Sequence, residues 1–117
     1  MIAEVLSLPG YDKQAAALMD DDERSAMEFF IATTAADHPV IPETGGFRKA
    51  RWALPGRGKS GGLRVIYFLV TRPGQVFMAA IYRKSDQDNL SAADRRKLAA
   101  VAKGIKAELT PKEGTLQ

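Results

Sequence analysis

Apolar positions change their spacing along this chain, and the changes divide it into elements. Ile2 to Leu8 is short and apolar, which suits a first strand, and Pro9-Gly10-Tyr11-Asp12 is turn chemistry. Lys13 to Met19 is alanine-rich and reads as a helix. Asp20, Asp21 and Asp22 then offer N-caps for a second helix. Met27, Phe30, Ile31 and Thr34 form one face of it. It should end before His38-Pro39, because the residue ahead of a proline resists helical geometry. Val40 to Gly46, with Pro42, Gly45 and Gly46, reads as a loop.

From Phe47 the period falls to two. Phe47 to Ala53 reads as a strand with Lys49 and Arg51 on one face and Arg48 and Trp52 on the other. Leu63 to Val70 is apolar on both faces except at Arg64, as a central strand should be. Arg72-Pro73-Gly74 turns the chain into Val76 to Tyr82, again apolar on both faces. These three segments make an antiparallel meander. A last helix starts at Ser91, with Asp94 as its capping-box partner. Leu98, Val101, Ala102, Ile105 and Leu109 form its buried stripe, and Pro111 stops it. The order β-α-α-β-β-β-α predicts an α+β fold, a small antiparallel sheet with helices packed on one face. The 117 residues predict a single domain over 1–110 and a flexible tail over 111–117.

Composition removes several classes of chemistry. The chain has no cysteine and one histidine, His38. Disulfides and thiolate zinc sites are excluded, and neither a metal site nor a cofactor is expected. No apolar run approaches the roughly 20 residues that span a bilayer. The N-terminus lacks the basic region and long apolar stretch of a secretory signal. The expectation is a soluble, cytoplasmic protein with no membrane partner.

The net charge is +3, but its distribution says more. Residues 1–43 carry nine acids and two bases, whereas residues 44–85 carry nine bases and no acid. Those bases are Arg48, Lys49, Arg51, Arg57, Lys59, Arg64, Arg72, Arg83 and Lys84. A positive field with no internal neutralisation attracts polyanions. A basic surface kept only for solubility would tolerate interspersed acids.

The stretch "ALPGRGKSGG", Ala53 to Gly62, imitates a phosphate-binding P-loop. Its first glycine position is Ala53, and an apolar strand follows where a P-loop needs a helix N-terminus. The glycines read instead as a hairpin connection that carries Arg57 and Lys59 off the sheet end. Neighbouring strands lie about 5 Å apart, so bases at facing positions cluster. Lys49 and Arg51 come from one strand, Arg64 from the next, and Arg83 and Lys84 from the end of the third. Arg64 sits among Leu63, Val65, Ile66, Tyr67 and Phe68, where an unpaired buried charge is costly. It should turn to a surface that holds an anion, unless a helix supplies it with a carboxylate. Tyr67 and Tyr82 lie in or beside the cluster, where a tyrosine stacks on a base or bonds a phosphate. Tyr67 reads more readily as core, as does Trp52, and His38 as a cap or surface residue.

Such a cluster can cleave RNA without metal or histidine. The 2′-hydroxyl loses a proton and attacks the adjacent phosphorus, the phosphorane gains charge, and the 5′-oxygen takes a proton. A lysine crowded by like charges becomes a better base. An arginine stays charged and stabilises the transition state.

"GGFRKARWALPGRGKSGGLRVIYFLV", followed by "MAAIYRKSDQDNLSAADRRKLAAVAKGIKAEL", resembles the RelE/HigB toxins of bacterial type II toxin–antitoxin systems, within the RelE/ParE superfamily. The resemblance spans almost the whole chain, and its HigB-like branch is the nearer. It implies a RelE-like fold and a metal-independent, ribosome-dependent endoribonuclease, an mRNA interferase that cuts mRNA in the A site and inhibits translation. It also implies a cognate antitoxin, of helix-turn-helix type in the HigB-like branch. By position, Lys49, Arg51, Arg64 and Lys84 match the catalytic set, with Arg64 a phosphate and transition-state contact and Lys84 a candidate acid. Which lysine is the base stays open. Arg48, Arg57, Lys59, Tyr82 and Arg83 are the expected RNA-binding residues. Leu90 stands where several members carry a base-stacking tyrosine, so either Tyr82 takes that role or the chemistry is altered. Two other functions fit the fold: a ParE-like toxin that blocks DNA gyrase, and a catalytically inactive RNA- or partner-binding module.

Overall fold

The computed structural model describes residues 2–54, 62–87 and 89–109. Arg57, Lys59 and the expected tail 111–117 lie outside the described residues. The elements are β1 (Glu4–Ser7), α1 (Tyr11–Leu18), α2 (Asp21–Thr34), β2 (Phe47–Ala53), β3 (Gly62–Val70), β4 (Gln75–Arg83) and α3 (Ala92–Leu109). The class is α+β and the element order is the expected one. With β2 ending at Ala53 and β3 opening at Gly62, a strand lies on each side of the glycine-rich stretch.

Two features of the expected architecture are corrected. The sheet order is β1-β4-β3-β2; β2, β3 and β4 form the antiparallel meander, but β1 pairs with β4 in parallel, so the sheet is mixed. The helices cover both faces, not one. Tyr11 and Ala15 of α1 and Met27 and Ile31 of α2 pack with Val65, Tyr67 and Met78. Leu98, Ala102 and Ile105 of α3 pack with Phe47, Ile66 and Phe68 on the opposite side. The reason lies in the central strands: β3 and β4 are apolar on both faces, and each face needs its own cover.

Local chemistry sets the helix starts. The Asp20 carboxylate accepts from the Glu23 N–H at 2.8 Å. Ser91 and Asp94 close the expected capping box, at 3.0 Å for Asp94 N–H to the Ser91 hydroxyl and 3.3 Å for Ser91 N–H to the Asp94 carboxylate. Arg24 joins α1 to α2: it bonds Asp12 and Glu28 and lies 5.1 Å from the centroid of the Tyr11 ring. The Tyr11 hydroxyl donates to Glu28 at 2.7 Å, and burial is the main reason its proton is held far more tightly than in an ordinary phenol. Hydrogen bonds from Arg24 and Ser7 hold the Asp12 carboxyl below its usual range.

The turn ahead of β2 seats α3. Buried Thr44 donates its hydroxyl to the Ile41 carbonyl at 2.7 Å and accepts the Phe47 N–H at 3.1 Å. Gly45 follows at φ +75°, and a Cβ there would lie 2.8 Å from that of Ala102. Lys106 donates from Nζ to the Gly45 carbonyl at 2.8 Å. The helix therefore touches backbone at the one residue able to leave room for it. Gly104, on the outer side of the same helix, has open space around it.

Gly45→Ala is therefore expected to destabilise the protein by about 1–3 kcal/mol, from the left-handed backbone and the contact with α3. Gly104→Ala should stabilise it by up to about 1 kcal/mol through helix propensity. Denaturant melts of the two variants against the parent read both signs.

Candidate functional site

The register brings three polar side chains into one row across the sheet. Arg51 of β2 pairs with Arg64 of β3, which pairs with Tyr82 of β4. Paired residues share a face, so this row lies on the α3 side, continuous with Ile66 and Phe68. Lys49, two residues before Arg51, occupies the same face opposite Ile66. Lys49, Arg51, Arg64 and Tyr82 thus come together from three strands.

A β-bulge decides that Tyr82 belongs to this row. Tyr67 pairs with Met78 but Ile66 pairs with Ala80, so Ala79 is the extra residue. Past that point the alternation of β4 is reversed. Val76 and Met78 face the α1–α2 core, and without the bulge Tyr82 would join them. Instead Ile81 joins that core and Tyr82 turns to α3. The same reversal takes Arg83 away from the cluster: it pairs with Leu63, on the α1–α2 side. Arg48 is on that side too, its guanidinium donating to the His38 carbonyl at 2.6 Å and the Ala36 carbonyl at 3.4 Å. Two of the expected RNA contacts are therefore on the opposite face. Lys84, just past the end of β4, is exposed beside the start of β3, its backbone N–H bonded to the Gly62 carbonyl at 3.2 Å.

The aromatic residues separate in the same way. Tyr67 is fully buried, its hydroxyl donates to the Ala35 carbonyl at 2.6 Å, and burial pushes its pKa up to about 12. Trp52 donates its indole N–H to Glu23 at 2.6 Å and packs on Phe30. His38 lies within 2.8 Å of the Thr34 hydroxyl and near the Phe30 and Tyr67 rings, with its pKa lowered by burial. These three hold the α2 side of the sheet.

Arg64 is the unusual group. It is only 7 % exposed, so the expected turn to an open surface does not occur. Nor does a helix supply a carboxylate. Among the described residues its hydrogen bond runs from Nη1 to the Leu63 carbonyl at 3.3 Å, and the ion pairs there are both made by Arg24. A second arginine, Arg51, stands directly opposite. Like charges at a directly opposed pair destabilise a sheet, and burial of an unpaired cation adds to that.

At the end of this row, Tyr82 carries the buried hydroxyl that lacks a hydrogen-bond partner among the described residues. Burial raises its pKa and the nearby Arg64 charge pulls it back down. Tyr82 lines a cleft of about 590 Å3 between β4 and α3, with Ile66, Leu90, Asp94 and Leu98. A second cleft, of about 290 Å3, opens on the other side of Leu90 and contains Lys49 and Arg95. Sequence reasoning did not single out Arg95. Its signal was available: Arg95 lies three residues before Leu98, in line with Ala102 and Ile105, on the stripe by which α3 docks.

The arrangement places several hydrogen-bond donors without a carboxylate partner among the described residues on one face of the sheet, a setting suited to an anion. A family model described as the RelE toxin of the RelE/RelB toxin–antitoxin system matches residues 40–113, which include β2, β3, β4 and α3, the elements that build this face.

Arg64→Met should make the free protein more stable, by about 1–4 kcal/mol, because an unpaired buried charge is replaced by apolar volume. Phosphate or sulfate should raise the melting temperature of the parent protein and leave that of the variant nearly unchanged. Thermal melts with and without added anion read both effects.

Proposed function

The chain belongs to the family of RelE toxins of RelE/RelB toxin–antitoxin systems, and on that premise we propose that it is an endoribonuclease that cuts mRNA on the ribosome and is held inactive by its antitoxin. Family membership makes it a toxin with an antitoxin as partner. The cutting of RNA, the ribosome and the residues below are our reading. The observation that carries it is the Arg51–Arg64 pair, two arginines facing each other across β2 and β3 with no carboxylate paired to either among the described residues. A bound anion would relieve that arrangement, and the scissile phosphate of RNA is the anion this family's chemistry would bring.

In this reading Arg64 and Arg51 bind the phosphate and gain strength as the phosphorane accumulates charge. Lys49, which acts as a base only as its neutral amine, takes the proton from the 2′-hydroxyl, whose oxygen attacks the adjacent phosphorus. The bond to the 5′-oxygen breaks, and Lys84 supplies that oxygen with a proton. The products are a 2′,3′-cyclic phosphate and a 5′-hydroxyl, and every proton is accounted for without a metal ion. Tyr82, beside Arg64, takes the base-stacking part for which Leu90 has no aromatic ring. Arg57 and Lys59 act as docking contacts to ribosomal RNA or message.

The antitoxin has to mask the same face. The acid-free stretch 44–85 fits a partner that brings acidic side chains to it. A helix-turn-helix antitoxin is the partner we propose, on the likeness of the chain to the HigB-like branch. No described helix is long and apolar enough to cross a membrane.

A purified translating system supplied with this protein should yield mRNA cut at ribosome-bound positions, and the same mRNA without ribosomes should stay whole. Arg64→Ala should slow cleavage by at least about 100-fold, the usual cost of one charge-stabilising donor. Intact mRNA at every protein dose, or inhibited DNA supercoiling in its place, contradicts this function. Primer extension on the recovered message reads the outcome.

A further inference from the structure

Tyr82 is the one residue that the larger cleft shares with the arginine row. The row runs Arg51, Arg64, Tyr82 across β2, β3 and β4, and the cleft continues past β4 to Leu8, beyond the end of β1, and to Gln14 of α1. Its walls are apolar. Ala79 and Ala80, at the bulge, present only methyl groups to it, and Leu98 and Val101 line it from α3. At about 590 Å3 it falls within the range of ordinary small-ligand sites, which pair apolar walls with a few placed polar groups.

The polar groups here define the ligand. The Tyr82 hydroxyl is buried and makes no hydrogen bond among the described residues, a costly state for a group that can donate. Gln14 gives its Oε1 to the Ile81 N–H at 3.0 Å, which leaves its amide donors. Both groups therefore have a proton to offer, and the ligand supplies an acceptor. Charge on the ligand is disfavoured in either sign. A carboxylate would meet Asp94 on the lining, and an ammonium would meet Lys97, the Arg64 charge beside Tyr82 and the positive end of α3. We propose that the cleft between β4 and α3 binds an uncharged, ring-sized small molecule whose carbonyl oxygen or ring nitrogen accepts from the Tyr82 hydroxyl. Its ring lies against Ala79, Ala80 and Leu98. The proposal goes beyond the reading of the arginine row as a nuclease and needs no RNA.

Benzamide is the probe, a ring with a carbonyl and no charge. As it is added to the parent protein, the methyl resonances of Ala79, Ala80 and Leu98 should shift and saturate, while those of Ile31, in the core on the other face, stay in place. This readout needs no variant to fold. Toluene, the same ring without an acceptor, should bind about tenfold more weakly, the loss of one hydrogen bond. Benzoate and benzylamine should also bind more weakly than benzamide. Tyr82→Phe should lose that tenfold for benzamide and leave toluene unchanged, a difference that a loosened fold alone would not produce. Unmoved Ala79, Ala80 and Leu98 methyls overturn the proposal. So does an equal loss of benzamide and toluene binding in Tyr82→Phe. Benzoate bound more tightly than benzamide also overturns it, and would assign the binding to the cations of the arginine row. None of these outcomes decides whether mRNA is cut, which the translating system reads separately.

Discussion

An arginine buried in a central strand without a counter-ion among the described residues is the constraint around which this molecule is arranged. Arg64 stands in β3, the most continuously apolar segment of the chain, and among the described residues its guanidinium makes one hydrogen bond, to the Leu63 carbonyl. Folding alone does not reward such a placement. The interior is costly for an unpaired charge, and Arg51 directly across the ladder makes it costlier. Stability has been given up at the place where an anion would be bound, as is common at sites that must stabilise charge.

The rest of the fold can be understood as what holds that cation in position. β3 and β4 are covered on both faces, so the strands that carry Arg64 and Tyr82 cannot shift without disturbing two cores. The α1–α2 side is tied by Arg24 with Asp12 and Glu28 and by Trp52 with Glu23. The α3 side is lighter: Ala102 is its buried residue, seated against Gly45. A rigid back and a lighter front suit a face that receives a polymer on the front. The bulge at Ala79 completes the geometry by turning Tyr82 to Arg64 and sending Arg83 away.

Much of this was legible in the sequence, for definite reasons. β2, β3, β4 and α3 were readable because their periods are clean and their boundaries are marked by glycine, proline or a capping box. The face shared by Lys49 and Arg51 followed from strand alternation alone. Other features were not legible. The parallel pairing of β1 and the placement of α3 on its own side are tertiary choices that no local pattern encodes. The bulge leaves no mark in an apolar run, so Arg83 read as part of the basic cluster when it is not. Arg48 looked like one more surface cation, but its guanidinium is engaged by the carbonyls at the end of α2. The burial of Arg64 was recognised as a problem in the sequence, but its resolution, no carboxylate from any described helix, needed the fold.

The central claim is that the Arg64 guanidinium is the receptor for a phosphate. The most direct measurement is the side-chain nitrogen resonances of Arg64 during titration with a non-cleavable single-stranded RNA. The account predicts that its Nε–H resonance shifts and its exchange with water slows, saturating with the same affinity as binding. An Arg64 signal that stays unmoved while only exposed arginines respond would contradict it, and would mean that the buried charge serves something other than phosphate.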